Sequence, residues 1–256
     1  MAMRFASLGS GSRGNALVVE AGTTRVMLDC GFSFTETVAR LQRIGLRADD
    51  IDAIIVTHEH DDHIGGVARL ATRAGIPVHL TCGTLAAVAQ KLAGVQCECF
   101  DPHASFALGD LRVHPFPVPH DAREPAQMVF DDGVRRLGVL TDVGMPTAHI
   151  REMLSGCSAL MLECNYDAAL LQEGPYPPTL KARIGSRLGH LQNADAAELL
   201  AGLDTSRLRH VVAAHLSEAN NTPDLAREAL AAALGGRSDD IIVATQTDGV
   251  GWLQLT

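Results

Sequence analysis

Ile51-Asp52-Ala53-Ile54-Ile55-Val56-Thr57-His58-Glu59-His60-Asp61-Asp62-His63 is an apolar run that ends in a dense cluster of histidine and aspartate. The apolar half reads as a buried strand, and Ile64-Gly65-Gly66-Val67-Ala68-Arg69-Leu70 restarts with helical periodicity. The cluster therefore sits where a strand ends and a helix begins. At such a junction side chains two apart leave the strand end on one side, and the next turn brings another pair round from a second direction. That suits two adjacent metal ions, with His58 and His60 toward one and Asp62 and His63 toward the other. Imidazole and carboxylate together favour zinc, manganese or iron over calcium or magnesium.

One loop cannot fill two coordination shells, so further donors are expected just after other apolar strands. Val118-Pro119-His120 offers His120 to complete the first site. Leu137-Gly138-Val139-Leu140-Thr141-Asp142 ends in a carboxylate placed to bridge both ions. Val211-Val212-Ala213-Ala214-His215 repeats the pattern and offers His215 to the second site. Each of these three, taken singly, also fits a hydrogen-bonded structural group. His79, His103, His114, His149 and His210 lack such a context and read as surface or structural.

The remaining chain bounds the setting. Its 256 residues are 46% hydrophobic, enough for a well-formed core, and no apolar run reaches a membrane span. The start, Met1-Ala2-Met3-Arg4-Phe5-Ala6, reads as the entry to a strand and lacks a signal-peptide pattern, so a cytoplasmic location is expected. The six cysteines form no Cys-x-x-Cys pair and read as reduced core thiols, Cys97 and Cys99 sharing one strand face. A net charge of −9 argues against loose nucleic-acid binding but leaves room for a local basic patch. Strands are expected near 3–8, 15–21, 24–29, 51–57, 78–81, 158–162, 209–213, 241–244 and 250–255, with a hairpin at Asp132-Gly133 and a turn-rich stretch over 95–117. Helices are expected near 34–44, 64–74, 84–92, 147–154, 178–187, 194–202 and 224–234. This alternation predicts mixed sheets with helices outside them in one continuous α/β domain, residues 1–256.

Three segments bear on substrate. Leu8-Gly9-Ser10-Gly11-Ser12-Arg13-Gly14-Asn15 is either a plain glycine turn or a loop whose Ser10, Ser12 and Asn15 receive phosphate oxygens. Leu162-Glu163-Cys164-Asn165-Tyr166-Asp167 places Glu163 and Asn165 on one face of a strand end. Gly174 to Asn193 concentrates Lys181, Arg183 and Arg187, either a solvated helix face or a phosphate track, and sets His190 after a glycine at a helix end.

The chain resembles the metallo-β-lactamase fold superfamily, whose mark is His-x-His-x-Asp-His followed by separated His, Asp and His ligands. His58, His60, Asp62, His63, His120, Asp142 and His215 match that pattern. The resemblance implies a four-layer αββα sandwich with two divalent ions, zinc or manganese or iron, at one edge of the paired sheets. The three substrate segments resemble the YycJ/WalJ branch, bacterial cytoplasmic proteins regarded as DNA exonucleases, although Gln192 stands where that motif carries serine. The resemblance implies a DNA or other phosphodiester substrate, 5′-exonuclease action through a metal-bridging hydroxide, and a proton-donor role for His190. Asp62 is read as catalytic as well as a ligand. Two metals about 3.5–4 Å apart suit in-line phosphodiester displacement, and a nearby proton donor assists the leaving oxygen. A glyoxalase II-like thioester or lactone hydrolase would use the same ligands, as would a small cyclic-phosphate phosphodiesterase. The basic segment favours a phosphate ester. Only ten aromatic residues, seven Phe, two Tyr and one Trp, are present for base stacking.

Overall fold

Apolar strands segregate into two mixed sheets in the structure, a computed structural model that describes residues 3–236 and 238–255. Met1 and Ala2 of the expected strand entry lie outside the described residues. The first sheet contains Arg4–Gly9 (β1), Ala16–Ala21 (β2), Thr24–Leu28 (β3), Ala53–Ile55 (β4), Val78–Thr81 (β5) and Cys97–Phe100 (β6). The second contains Phe106–Leu108 (β7), Leu111–Pro117 (β8), Ala126–Asp131 (β9), Arg136–Leu140 (β10), Ala159–Glu163 (β11), His210–Ala214 (β12) and Ile241–Val243 (β13). Val250–Gln254 (β14) returns to the first sheet beside β1. The spatial orders are β14-β1-β2-β3-β4-β5-β6 and β13-β12-β11-β10-β9-β8-β7. Each sheet begins as an antiparallel meander and becomes parallel, from β3 to β6 and from β10 to β13.

The helices cover the outer faces. Phe34–Arg43 (α1), Asp61–Ile64 (α2), Val67–Ala74 (α3) and Cys82–Val88 (α4) belong to the first half. Ala148–Leu154 (α5), Ala168–Glu173 (α6), Pro178–Ile184 (α7), Asn193–Ala201 (α8) and Pro223–Leu234 (α9) belong to the second. Successive strand residues point to opposite faces. In β2, Val19 joins the core between the sheets while Val18 joins the core under α1 and α3; in β4, Ile55 and Ile54 divide in the same way. Leu162 and Val211 pack outward against Ile150, Leu199 and Leu230 of the second helical layer. Burial on both faces explains why these strands read as unbroken apolar runs. The result is the expected αββα sandwich. No helix among the described residues is long and apolar enough to cross a membrane.

Several expectations shift. The helix expected over 64–74 is broken into α2 and α3 at Gly65-Gly66, where a Cβ on Gly66 would strike the backbone oxygen of Phe32. The helix expected over 178–187 stops at Ile184, because the chain turns at Gly185 toward Gly189. Helix α6 was not anticipated; Asp167 caps it by accepting from the amides of Ala169 and Leu170. Gln192 makes no side-chain cap at the start of α8, the place where a serine hydroxyl would supply one. Cys97 is only half-buried and Cys99 is exposed, because β6 is the edge strand, and Cys82 is exposed at the start of α4; Cys30, Cys157 and Cys164 are buried as expected, and all six thiols are free.

The topology sends the carboxyl ends of β3, β4, β10, β11 and β12 to one rim. Open α/β sheets place ligands at this kind of rim. Asp29, Asp142 and His215, just beyond β3, β10 and β12, take left-handed backbone angles with φ of 60°, 54° and 54°. Asp and His are enriched among the non-glycine residues that tolerate this region.

Candidate metal centre

His58, His60 and His120 converge first. His60 Nδ1 lies 3.0 Å from His58 Nε2 and 3.3 Å from His120 Nε2. A second group forms beside them: Asp62 Oδ2 is 3.4 Å from both His63 Nε2 and His215 Nε2. Within each group of three the donor atoms lie within 4.8 Å of one another. Asp142 stands between the groups. Its Oδ2 is 3.1 Å from His63 Nε2, and its Oδ1 is 3.4 Å from His215 Nε2 and 3.9 Å from His120 Nε2. All seven residues expected as donors therefore meet at the rim.

The donor set fits divalent cations. Asp142 Oδ2 is buried without a hydrogen-bond partner among the described residues, and such an atom is costly unless something else satisfies it. Backbone and side-chain partners also fix the tautomers. Thr57 Oγ1 donates to Asp29 Oδ2 at 2.8 Å, so at 3.0 Å it accepts from His58 Nδ1 and leaves Nε2 free for a metal. His63 Nδ1 donates to Asp29 Oδ2 at 2.8 Å, and His120 Nδ1 donates to the Gly189 carbonyl at 3.0 Å, with the same consequence. Such outer partners orient metal-binding imidazoles.

The protein charges are strongly coupled. Burial and the adjacent His63 hold the His58 imidazolium well below its ordinary pKa. Burial also opposes charge on His63, but the Asp142, Asp29 and Asp62 carboxylates outweigh it and raise that pKa well above the ordinary value. Burial would raise Asp142, yet His215 and His63 hold it well below the carboxylate range. Metal ligation would require His63 and His215 to give up protons that the carboxylates favour, so loading would release protons and weaken in acid.

The loop around Asp62 is clamped by backbone. Asn15 N donates to Asp62 O at 2.8 Å, Cys30 N donates to His63 O at 2.7 Å, and Gly66 N donates to Cys30 O at 2.8 Å. Gly31 lets this packing happen, because a Cβ there would overlap Asp62 O. Gly189 plays the same part on the opposite wall, where a Cβ would strike the carbonyls of Ile184 and Arg183.

The expected substrate residues separate into groups. Ser10 is buried; its hydroxyl donates to Asn15 Oδ1 at 3.2 Å and accepts from His215 N at 2.9 Å. Asn15 is buried too, with its amide directed at Gly11 O and at Asp62. Both are spent on positioning ligands rather than presented to a phosphate. Ser12 and Asn165 do line the cavity. Glu163 is fully buried; it accepts from Val143 N at 2.8 Å and from His190 Nδ1 at 2.8 Å, so it serves His190 rather than substrate. Of the basic residues, Arg183 lines the cavity and donates to Asp121 Oδ2 at 2.7 Å. Lys181 Nζ instead donates to Gln172 O at 2.6 Å, and Arg187 Nε contacts Met145 Sδ at 3.1 Å. The structure does not bring Lys181 and Arg187 into the cavity wall.

His190 does reach the centre. Its Nδ1 is 3.6 Å from Asp142 Oδ1, and its ring stacks on His215 at 5.3 Å between centroids. Burial disfavours its charge, but the adjacent Glu163 carboxylate prevails, and the protein groups alone raise its pKa to about 9.

Sequence reasoning missed Asp29, Thr57 and Asp121. Asp29 holds both Thr57, through its amide and hydroxyl, and His63. Asp121 Oδ1 lies 3.8 Å from His60 Nε2 and 3.4 Å from His120 Nε2. The signal for Asp29 was present, since Val26-Met27-Leu28-Asp29 is another apolar strand ending in a carboxylate. Asp29→Ala is expected to weaken metal affinity by about ten- to a hundredfold, the usual scale for an outer partner of a ligand. Competition against a chromophoric chelator measures this, and unchanged affinity would show that His63 needs no such support.

Comparison with known proteins places the chain. A beta-lactamase superfamily domain model matches residues 24–215. The exodeoxyribonuclease YycJ of Bacillus anthracis is 35% identical over 230 residues, covering 89% of this chain and 87% of that protein. The exodeoxyribonuclease WalJ of Streptococcus pneumoniae is 32% identical over 228 residues, covering 87% and 85%. The crystal structure of the metallo-beta-lactamase fold protein YhfI from Bacillus subtilis superposes with a TM-score of 0.77, covering 98% of both chains at 16% identity.

Proposed function

From the premise that this chain belongs to the metallo-β-lactamase superfamily, in its YycJ/WalJ branch, and is a metal-dependent hydrolase, we propose that it is a dinuclear 5′-exonuclease acting on DNA. His58, His60 and His120 would hold one divalent ion and Asp62, His63 and His215 the other, with Asp142 available to both groups. Zinc or manganese fits this nitrogen and oxygen donor set, with iron a third choice. When bound, such a pair supplies Lewis acidity and an activated water. The core shared by strands of both halves supports reading residues 1–256 as one domain.

The observation that carries this reading is the Glu163–His190 pair at the edge of the donor cluster. Glu163 fixes Nδ1 of His190, which leaves Nε2 as the ring atom for substrate. The Glu163 carboxylate favours the protonated ring, as a donor to a poor alkoxide leaving group requires. Asp62, held well below the carboxylate range by His63 and His215 despite burial, stays an acceptor and orients the attacking water. Arg183, at the cavity wall, is the residue placed to meet a phosphate.

Protein loaded with manganese or with zinc is to be given, in parallel, a labelled duplex, a single strand, bis-p-nitrophenyl phosphate and a glutathione thioester. Release of mononucleotides from DNA is expected. Turnover of the thioester with DNA left intact would move the assignment to acyl hydrolysis. Arg183→Ala should weaken DNA binding and flatten its salt dependence by about one phosphate contact. Lys181→Ala and Arg187→Ala should change the slope far less; equal effects from all three would restore the basic track that the sequence suggests.

A further inference from the structure

The cavity over the metal donors has two chemically different sides. Its floor is the donor cluster with Asp121, His190 and Ser217, all polar. Its apolar side chains are Tyr176, Leu180 and Ile184, and all come from the segment that forms α7 and its approach. Leu180 and Ile184, four apart on α7, share one helix face, and Tyr176 lines the same cavity from the extended approach just before the helix. Each is half-buried, so the row is accessible to a ligand. The cavity volume is about 390 Å3, toward the small end of the range for ligand sites. Two sides of opposite character within so small a space suit a molecule that joins one anionic group to one flat apolar group.

The row is held still. Pro175, Pro177 and Pro178 surround Tyr176, and proline fixes its own φ while forcing the residue before it into extended backbone. Lys181 Nζ closes the turn by donating to Gln172 O at 2.6 Å. Arg183 ties the next turn of α7 to Asp121 at 2.7 Å, and His190 N donates to Ile184 O at 2.9 Å. A wall fixed in advance loses little entropy when a ligand lies against it.

We propose that Tyr176, Leu180 and Ile184 form a stacking shelf for a single nucleobase, that of the nucleotide whose phosphate occupies the donor floor. This rests on the phosphodiesterase reading above and adds the element that grips the substrate. One tyrosine stacks one base, so a chain poor in aromatics handles a strand one terminal nucleotide at a time. The row presents hydrocarbon and a single phenol, a surface that grips any base by its face and does not read its edge. Trimming is therefore indifferent to terminal sequence but sensitive to the presence of a base.

Two measurements test the shelf. The first titrates the metal-loaded protein into 2-aminopurine deoxynucleoside 5′-monophosphate, whose fluorescence falls on stacking. Wild type and Tyr176→Trp should quench it, and Tyr176→Ala should weaken binding about tenfold, within the range for one base–aromatic stack. The second compares oligonucleotides that end in an ordinary or an abasic nucleotide. Wild type should show a KM about tenfold higher for the abasic end, and Tyr176→Ala should erase the difference. Equal quenching by wild type and Tyr176→Ala, or DNA trimming blind to the missing base, overturns the shelf alone. Nucleotide binding that depends on Tyr176, with no release from DNA, supports the shelf and overturns the exonuclease reading.

Discussion

Asp142→Ala is expected to abolish stable loading of two cations and to lower phosphodiester cleavage on the order of a thousandfold, since the cations supply several kcal/mol of charge stabilisation in such sites. The reason is geometric. Asp142 alone places its two oxygens toward His63 and His215 on one side and His120 on the other. Elemental analysis and a bis-p-nitrophenyl phosphate assay on the same sample measure both effects. Asp142→Asn keeps the volume and tolerates the left-handed backbone, so it separates lost charge from lost fold. Two tightly held ions in either variant would remove Asp142 from the bridging position.

His190→Ala should keep both cations and lower kcat on DNA by about a hundredfold or more, the scale of a lost general acid. With a nitrophenolate leaving group, which needs little protonation, the loss should shrink. A role in gripping phosphate would instead raise KM and act alike on both substrates. Glu163→Gln is the companion variant: it keeps the shape of the partner but removes the charge that keeps His190 protonated. Its kcat should begin to fall with rising pH at a lower pH than that of wild type. An unchanged pH profile would leave Glu163 as a packing partner only.

The seven candidate donors that converge at the rim were legible because each announces itself locally, as an apolar strand that runs into His or Asp. The sandwich followed from the same alternation, since parallel strands buried on both faces leave long apolar runs. What escaped was long-range. Ser10 looked like a phosphate-loop serine, but its hydroxyl accepts from His215 N, a partner 205 positions away that no window of sequence reveals. Glu163 looked like a substrate residue for the same reason; its partners Val143 and His190 come from two other loops. Lys181, Arg183 and Arg187 were read together because they are close in sequence, yet α7 ends at Ile184 and Arg187 falls in the turn beyond it. The stretch over 95–117 stayed vague because β6 and β7 are edge strands with exposed residues and weak alternation.

The left-handed residues after β3, β10 and β12 set a rule for anyone who would refit this centre to another metal. At His58, His60, His63 and His120 the backbone takes no left-handed angle, so a replacement answers to packing and outer partners but not to φ. At Asp142 and His215 the newcomer must also tolerate φ of 54°, which β-branched and bulky side chains resist at a cost of about 1–2 kcal/mol. Glycine, asparagine, aspartate and histidine are the residues the backbone accepts cheaply, and of these only aspartate and histidine supply a carboxylate or imidazole donor. Main-chain geometry thus places no left-handed limit on the candidate donors of the strand-to-helix loop, while at these two strand ends it already selects the few residue types that coordinate metals.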